Sequence, residues 1–410
     1  MWLVIPDDAT TSSALAQYGS IAFRHDAQPA YHARDAQADA DQGARARDRS
    51  RVGARSTLLR RLGARLSAER KLTQRELNRA LLARQFLLGR ATLPLPRVLE
   101  TIGGIQAQYA PSMYIGLWSR LEGLDRDAVT RALERKTVVQ ATLMRATIHL
   151  VSRRDYWPLL TAIQAGQREW WLRVTRSEEG RIRENASRAR AILADGPRRW
   201  KELEELLGGR DEARGLFTVL PLVRVPPSGT WERRRADLVA ASEDWIGRDE
   251  IDLARARRLI VQRYLSGFGP ARKREIADWA GMNVADVAAG LEGLELRRFR
   301  DEQGKELFDL PRAPLPDPAT PAPPRFLPTW DATLLVHARG TQILPEKYRP
   351  RIFGTKTPNS FNTFLVDGQV AGTWLYDEGR VRLEPFHRLD AGRRRELEEE
   401  AERLAAFHAR

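Results

Sequence analysis

The chain contains no cysteine, which removes disulfides and thiolate-held zinc from its fold and its chemistry. Histidine is scarce as well: the six are scattered without the paired spacing of a metal site, so no metal and no cofactor are implied. Long apolar runs are missing. A stretch such as "LFTVLPLVRV" falls well short of the roughly 20 residues that cross a bilayer, so no membrane partner is expected. The opening "MWLVIPDD" lacks the basic start and longer apolar core of a secretion signal. No phosphate-cradling Gly-rich loop and no Ser-His-Asp arrangement is found. These absences leave a soluble, cytoplasmic protein as the expectation.

What is present is apolar content and positive charge. Hydrophobic residues make up 42% of 410, enough for two to four modest domains with proper cores. The formal charge of +14, mostly Arg, makes a polyanionic partner the leading reading, with nucleic acid first among candidates. The competing reading is a high-GC bacterial proteome that places Arg on ordinary solvated faces.

Residues 1–68 read differently from the rest. "HDAQPAYHARDAQADADQGARARDRSRVGARS" is too poor in large apolar side chains to offset its ordering entropy, so a disordered leader is expected. The alternative is an over-extended start, with the working protein beginning near Leu66.

From residue 69 the pattern is that of packed helices and hairpins. Thr73 caps a helix carrying Leu77, Ala80 and Leu81, with Leu87 on the same side; a second helix is entered through Pro96, and Asp125 caps a third. "TVVQATLMRATIHLVS" predicts two strands with a turn near Met144 and Arg145. Helices followed by a hairpin make a winged-helix unit over 69–165. The plan repeats over 166–248, with "PPSG" as the hairpin tip, and over 249–312. In the third unit the spacing predicts a helix from Ala271 to Trp279, a turn at Gly281, a helix from Val284 to Leu294, and strands joined by "DEQGK". Residues 313–326 read as a proline-rich linker. Over 327–410 a β-rich module is predicted, with "TLLVHA", "TFLVDGQVAGTWLY" and "RVRLEPF" as strands, "DG" and "EG" as turns, and a terminal amphipathic helix. The fold class is α+β: tandem winged-helix motifs with a C-terminal β-rich module.

A winged-helix regulator reads base edges with polar side chains on its second helix. Here that helix is "VADVAAGLEGL", almost wholly Ala, Val, Gly and acid with no basic or amide side chain, so the units read as scaffold with DNA held elsewhere. Basic candidates are "RKRE" at 272–275, "RRFR" at 297–300 and "RPR" at 349–351, each of which can also be a solvated face.

"GGIQAQYAP", residues 103–111, sets two glutamines one residue apart at the end of an apolar helix. On a helix, side chains at i and i+2 diverge by about 200°. On an extended segment they project together, and "GG" supplies the helix stop that permits it. Spacing alone leaves two readings: a convergent amide pair, or two residues that cap a helix end and bond a loop.

The segments "IGGIQAQYAPSMYIGLWSRL", "RATIHLVSRRDYW", "VRVPPSGTWERR" and "PTWDATLLVHAR...FLVDGQVAGTW", in this order, resemble the AlkZ-like winged-helix DNA glycosylase family, from about Leu72 to the C-terminus. The resemblance implies tandem winged-helix motifs wrapped in a C-shape around duplex DNA, and excision of alkylated bases. It implies a catalytic Gln-x-Gln or Gln-x-Asp element, here Gln106, Ala107 and Gln108. The two-glutamine branch is associated with unhooking bulky or crosslinked N7-alkylpurines.

A glutamine is no base near neutral pH, but its carbonyl can hold a water and face a developing oxocarbenium ion. That suffices only for a leaving base already activated by positive charge, as an N7-alkylpurine is. Arg145 and His149 are candidates for contact with phosphate or lesion, and Arg272, Lys273, Arg349 and Arg351 for DNA binding. Asp331 is a candidate for orienting the catalytic element, or for capping a turn. Tyr109, Tyr114, Trp118 and Trp330 either line a lesion pocket or belong to the core. The expected protein is a monomeric, cofactor-free bacterial repair enzyme acting on double-stranded DNA at the nucleoid. The rival is a non-catalytic winged-helix DNA-binding or regulatory protein.

Overall fold

Helix α1 (Gln74–Arg84) starts where the sequence places it. Thr73 Oγ1 accepts from the Glu76 amide, and the Glu76 carboxylate accepts from the Thr73 amide, so two orphan donors are satisfied reciprocally. A computed structural model describes residues 70–354 and 360–409; the expected leader at 1–68 lies outside the described residues. Helix α2 (Leu95–Ile102) is entered through Pro96 and stops at Gly103. A short strand β1 (Ile105–Gln106), helix α3 (Ala110–Trp118) and helix α4 (Arg126–Glu134), capped by Asp125, follow. Strands β2 (Val138–Thr142) and β3 (Ile148–Ser152) pair antiparallel around a 3-10 turn at Met144–Ala146, as expected.

Long helices α5 (Arg153–Thr175) and α6 (Glu179–Ala194) lead to β4 (Arg198–Arg199), α7 (Trp200–Leu207), β5 (Leu222–Arg224) and β6 (Leu238–Ala241). "PPSG" lies inside the connection between β5 and β6, residues 225–237, which is a long folded loop where a tight hairpin tip was expected. These strands join the earlier ones in one sheet of order β1-β3-β2-β5-β6-β4. The sheet therefore runs across residues 165 and 166, where the sequence suggested a boundary between units.

Helices α8 (Leu253–Phe268), α9 (Lys273–Ala280) and α10 (Val284–Glu292) precede a hairpin of β7 (Arg297–Arg300) and β8 (Glu306–Asp309). Gly281 adopts the left-handed conformation that turns α9 into α10. The order of helix, turn, helix and hairpin is the one read from the sequence. Helix α10 buries Val287, Gly290 and Leu291 against the body, and Asp286 pairs with Arg257 of α8.

The C-terminal sheet, of order β12-β11-β10-β9, is built from β9 (Arg325–Leu327), β10 (Thr363–Val366), β11 (Gln369–Asp377) and β12 (Arg380–Pro385), and α11 (Ala391–Ala409) closes it. Its first strand starts at Arg325, inside the stretch read as linker. "TLLVHA" is not a strand: it forms two 3-10 turns, Ala332–Leu334 and Val336–Thr341. Asp331 Oδ1 accepts from both the amide and the hydroxyl of Thr333 and starts the first turn, and Leu334 and Ala338 are buried. Local capping and burial override strand propensity there.

The largest apolar cluster joins Leu81, Val139, Trp157, Val223, Tyr264, Trp279, Leu327 and Leu365, and a second one joins α2, β1, α3 and α4 to α11 through Val98, Ile105, Met113, Val129 and Leu404. The proline-rich stretch is clamped to α1: Arg84 donates to the Pro314 carbonyl at 3.0 Å and Arg79 to the Thr320 carbonyl at 2.7 Å. Arg84 also forms a fully buried bidentate pair with Asp309, at 2.6 and 3.0 Å. The result is an α+β fold with antiparallel sheets.

Candidate functional site

Two successive glycines set the geometry of the candidate site. Gly103 ends α2 in the left-handed region (φ 80°), and Gly104 has φ 81° and donates to the Leu99 carbonyl at 2.8 Å. A Cβ on Gly104 would stand 2.8 Å from Val151 Cγ1, so the position demands glycine for space as well as for backbone conformation. The chain leaves the helix there and runs extended along the edge of the six-stranded sheet.

On that edge Ile105 pairs with Leu150 and Gln106 with His149. The Ala107 amide continues the ladder, donating to the Ile148 carbonyl at 2.8 Å. Ile105 and Ala107 are buried, whereas Gln106 and Gln108 are half-buried. That alternation puts both glutamines on one side of the strand, the convergence that the i and i+2 spacing needs.

The two amides are held differently. Gln108 Oε1 accepts from the Ile148 amide at 3.1 Å. An N–H partner fixes which end of that amide is oxygen. Among the described residues, Gln106 has no hydrogen-bond partner for its side chain, and the NH₂ of Gln108 has none either. Both groups are open to a ligand.

His149, opposite Gln106, is buried, and its Nδ1 lies 3.0 Å from the Thr147 carbonyl. The carbonyl can only accept, so the neutral ring carries its proton on Nδ1 and keeps Nε2 as an acceptor. Burial, and then the Arg145 guanidinium, press its pKa down to about 3, so the imidazole is uncharged at neutral pH. Arg145 sits in the 3-10 turn with φ 55° and donates to the Trp279 carbonyl, while its Nη2 is buried with no partner among the described residues. Burial lowers its pKa to about 10, so it remains a cation.

The other predicted residues lie elsewhere. Asp331 is buried, caps its turn and accepts from Arg120 Nη2 at 2.9 Å. Arg120 in turn donates to the Gly116 carbonyl on α3, where a Cβ would stand 2.5 Å from Ile105 Cδ1, so Asp331 is linked to the strand of the glutamines through that helix. Arg272 is occupied by Glu275 at the start of α9, and Lys273 lies 5.3 Å from the Phe308 ring. Arg349 faces Glu346 and donates to the Leu334 carbonyl, and Arg351 lies over the Phe386 ring at 3.8 Å. Tyr114 and Trp118 are core residues, and Trp330 is half-buried 5.8 Å from Phe353. Tyr109 is half-buried, and its hydroxyl accepts from Arg234 at 3.1 Å.

Arg233 and Arg234 close the segment "VRVPPSGTWERR" but were not named as site residues from the sequence; the run "RRR" at 233–235 was the available signal. Among the described residues no group of three or more His, Asp or Glu side chains could hold a metal ion, and no helix is long and apolar enough to cross a membrane.

Comparison with known proteins gives the chain's family and fold. No curated protein matches the chain. Among solved structures, the Streptomyces sahachiroi DNA glycosylase AlkZ superposes with a TM-score of 0.67 at 18% identity, over 82% of this chain and 97% of that one, which establishes a shared fold. The family described as DNA glycosylase AlkZ-like matches residues 99–407, a span that holds the Gly-Gly stop, both glutamines and the C-terminal sheet. The chain belongs to the AlkZ-like DNA glycosylase family.

Proposed function

We propose that this protein is a monofunctional DNA glycosylase that hydrolyses the N-glycosidic bond of cationic N7-alkylated purines in duplex DNA and unhooks crosslinks of that chemistry. The observation that carries the reading is the open amide pair on the edge strand: Gln106 and Gln108 on one side, with one carbonyl unengaged.

The two glutamines divide the work. Gln106, with a free carbonyl, holds the attacking water and faces the positive charge that develops on the deoxyribose. Gln108 is anchored through its oxygen, so its NH₂ is the group it presents. Neutral His149 opposite them offers no general acid near pH 7, which fits a leaving base that is already cationic and needs no protonation. Water attacks C1′, the C1′–N9 bond breaks, the electron pair returns to the purine and cancels its charge, and the proton shed by the attacking water passes to solvent. No cofactor enters this scheme.

Helices α9 and α10 with the β7–β8 hairpin act as a winged-helix element of the scaffold, as do the two earlier units. The protein works as a monomer on chromosomal DNA in the cytoplasm. Arg145, His149, Arg272, Lys273, Arg349 and Arg351 remain proposed DNA contacts, and Asp331 a proposed positioning residue.

Single-turnover excision of N7-methylguanine from a duplex tests the reading, with wild type, Gln106→Ala, Gln108→Ala and the double variant compared and DNA binding measured beside them. Release by wild type, loss in the double variant and unchanged binding are expected. Tight binding to unmodified DNA with no release of this or a bulkier N7 adduct would replace the enzyme with a non-catalytic DNA-binding protein.

A further inference from the structure

The loop at 225–237 is more ordered than its length suggests. The Gly229 amide donates to the carbonyls of both Arg233 and Arg235 at 2.8 Å, and the Thr230 amide donates to the Arg233 carbonyl at 3.1 Å. Ser228 Oγ donates to the Arg235 carbonyl at 2.6 Å and accepts from the amides of Asp237 and Leu238. The backbone carbonyls of Arg233 and Arg235 are thus turned into the loop. The side chains of Arg233, Arg234 and Arg235 are exposed.

Two contacts fasten this loop to the sheet that carries the glutamines. Gln140 of β2, fully buried, donates to the Gly229 carbonyl at 2.9 Å. Gly229 has φ 72°, and a Cβ there would meet Gln140 Oε1 at 2.2 Å, so the loop can approach only with glycine. The second contact is Arg234 Nη1 to the Tyr109 hydroxyl, one residue past Gln108. Trp231 packs edge-on to Tyr114 of α3, with Arg126 4.8 Å from its ring centroid.

The charge on this loop is unmatched. Among the described residues no carboxylate lies within ion-pair distance of Arg233, Arg234 or Arg235, although Glu232 is exposed beside them. An ordered backbone that presents exposed guanidinium groups away from acidic partners has the form of a phosphate site. Arg234 meets Tyr109, the N-cap residue of α3, and neither glutamine, so the run flanks the reaction site and does not line it.

We propose that Arg233, Arg234 and Arg235 form a rigid ledge that grips the DNA phosphate backbone beside the base presented to Gln106 and Gln108. This assignment rests on the proposed function for its choice of polyanion. It supplies sequence-independent affinity and register, with no role in choosing the lesion.

The test is the salt dependence of binding to an unmodified duplex, which requires no catalysis. Each lost phosphate contact lowers the magnitude of the slope of log K against log salt by about 0.9. Arg233→Ala with Arg235→Ala should therefore flatten the slope by about 2, and Arg233→Lys with Arg235→Lys should restore most of it. Circular dichroism of both variants reports whether the loop change disturbs the fold. A slope equal to that of wild type in a folded double alanine variant, or no duplex binding by wild type, overturns the ledge. Excision by wild type with an unchanged variant slope sinks the ledge and leaves the glycosylase standing. A flattened slope with no excision by wild type does the reverse.

Discussion

The third helical unit and the edge of the six-stranded sheet treat their polar groups in opposite ways. Around α8 to β8, arginine after arginine meets a carboxylate: Arg257 with Asp286, Arg272 with Glu275, Arg274 with Asp278, Arg297 with Asp309, Arg298 with Glu306. On β1 and the neighbouring loop, among the described residues, Gln106 has no side-chain partner, the Gln108 NH₂ is open, and no acid lies within ion-pair distance of Arg233 to Arg235. A basic run in the sequence is therefore a poor guide to available charge. What matters is whether the fold brings an acid to it.

Changes that break the matched region should fall on stability. Asp309→Ala strands the fully buried Arg84 and should cost about 3–5 kcal/mol, read as the loss in chemical denaturation; a loss under 1 kcal/mol would mean that the pair is solvated. Changes in the open region should fall on function instead. Gln106→Ala should slow single-turnover excision by about 10²–10³-fold with an unchanged melting midpoint. Gln108→Ala should do both, because it also leaves the Ile148 amide without its acceptor, at about 1–3 kcal/mol.

Between the two regions stands His149. Its folded pKa, about 3, lies below the unfolded value, so the stability it contributes is present above that unfolded value and is lost as pH falls through about 3. Denaturation curves between pH 7 and 4 should decline more gently in His149→Asn than in wild type, by up to about 1.4 kcal/mol per pH unit. Parallel curves would show that the histidine is hydrated. The smallest effect belongs to Arg298→Ala, an exposed pair whose loss should change stability by under about 1 kcal/mol and leave the salt slope of DNA binding where it was. A flattened slope in that variant would erase the contrast between the regions.

Much of the architecture was legible. Thr73, Asp125, Pro96 and Gly281 each mark a boundary by local chemistry, and the structure places each at that boundary. The alternation around Gln106 was legible too, because two glycines can end a helix and an extended strand follows. What sequence could not supply was long-range: the strands of two expected units sharing one sheet, the prolines clamped by Arg79 and Arg84, and "TLLVHA" drawn into turns by Asp331. Nor does a triple arginine reveal its acids, or lack of them, until the chain is folded around it.

Helix α11 has a consequence for how the protein is made. Its Leu397, Leu404 and Phe407 share one apolar cluster with Ile105 and Ala107, the buried side of the strand that carries the glutamines. About three hundred residues separate the two faces along the chain. During synthesis the front half emerges long before its floor, and loop closure over that distance is slow. The growing chain must hold an unfinished apolar surface until α11 leaves the ribosome, so yield in the cell should depend on chaperones, and a ribosome stalled before α11 should release a chain that aggregates.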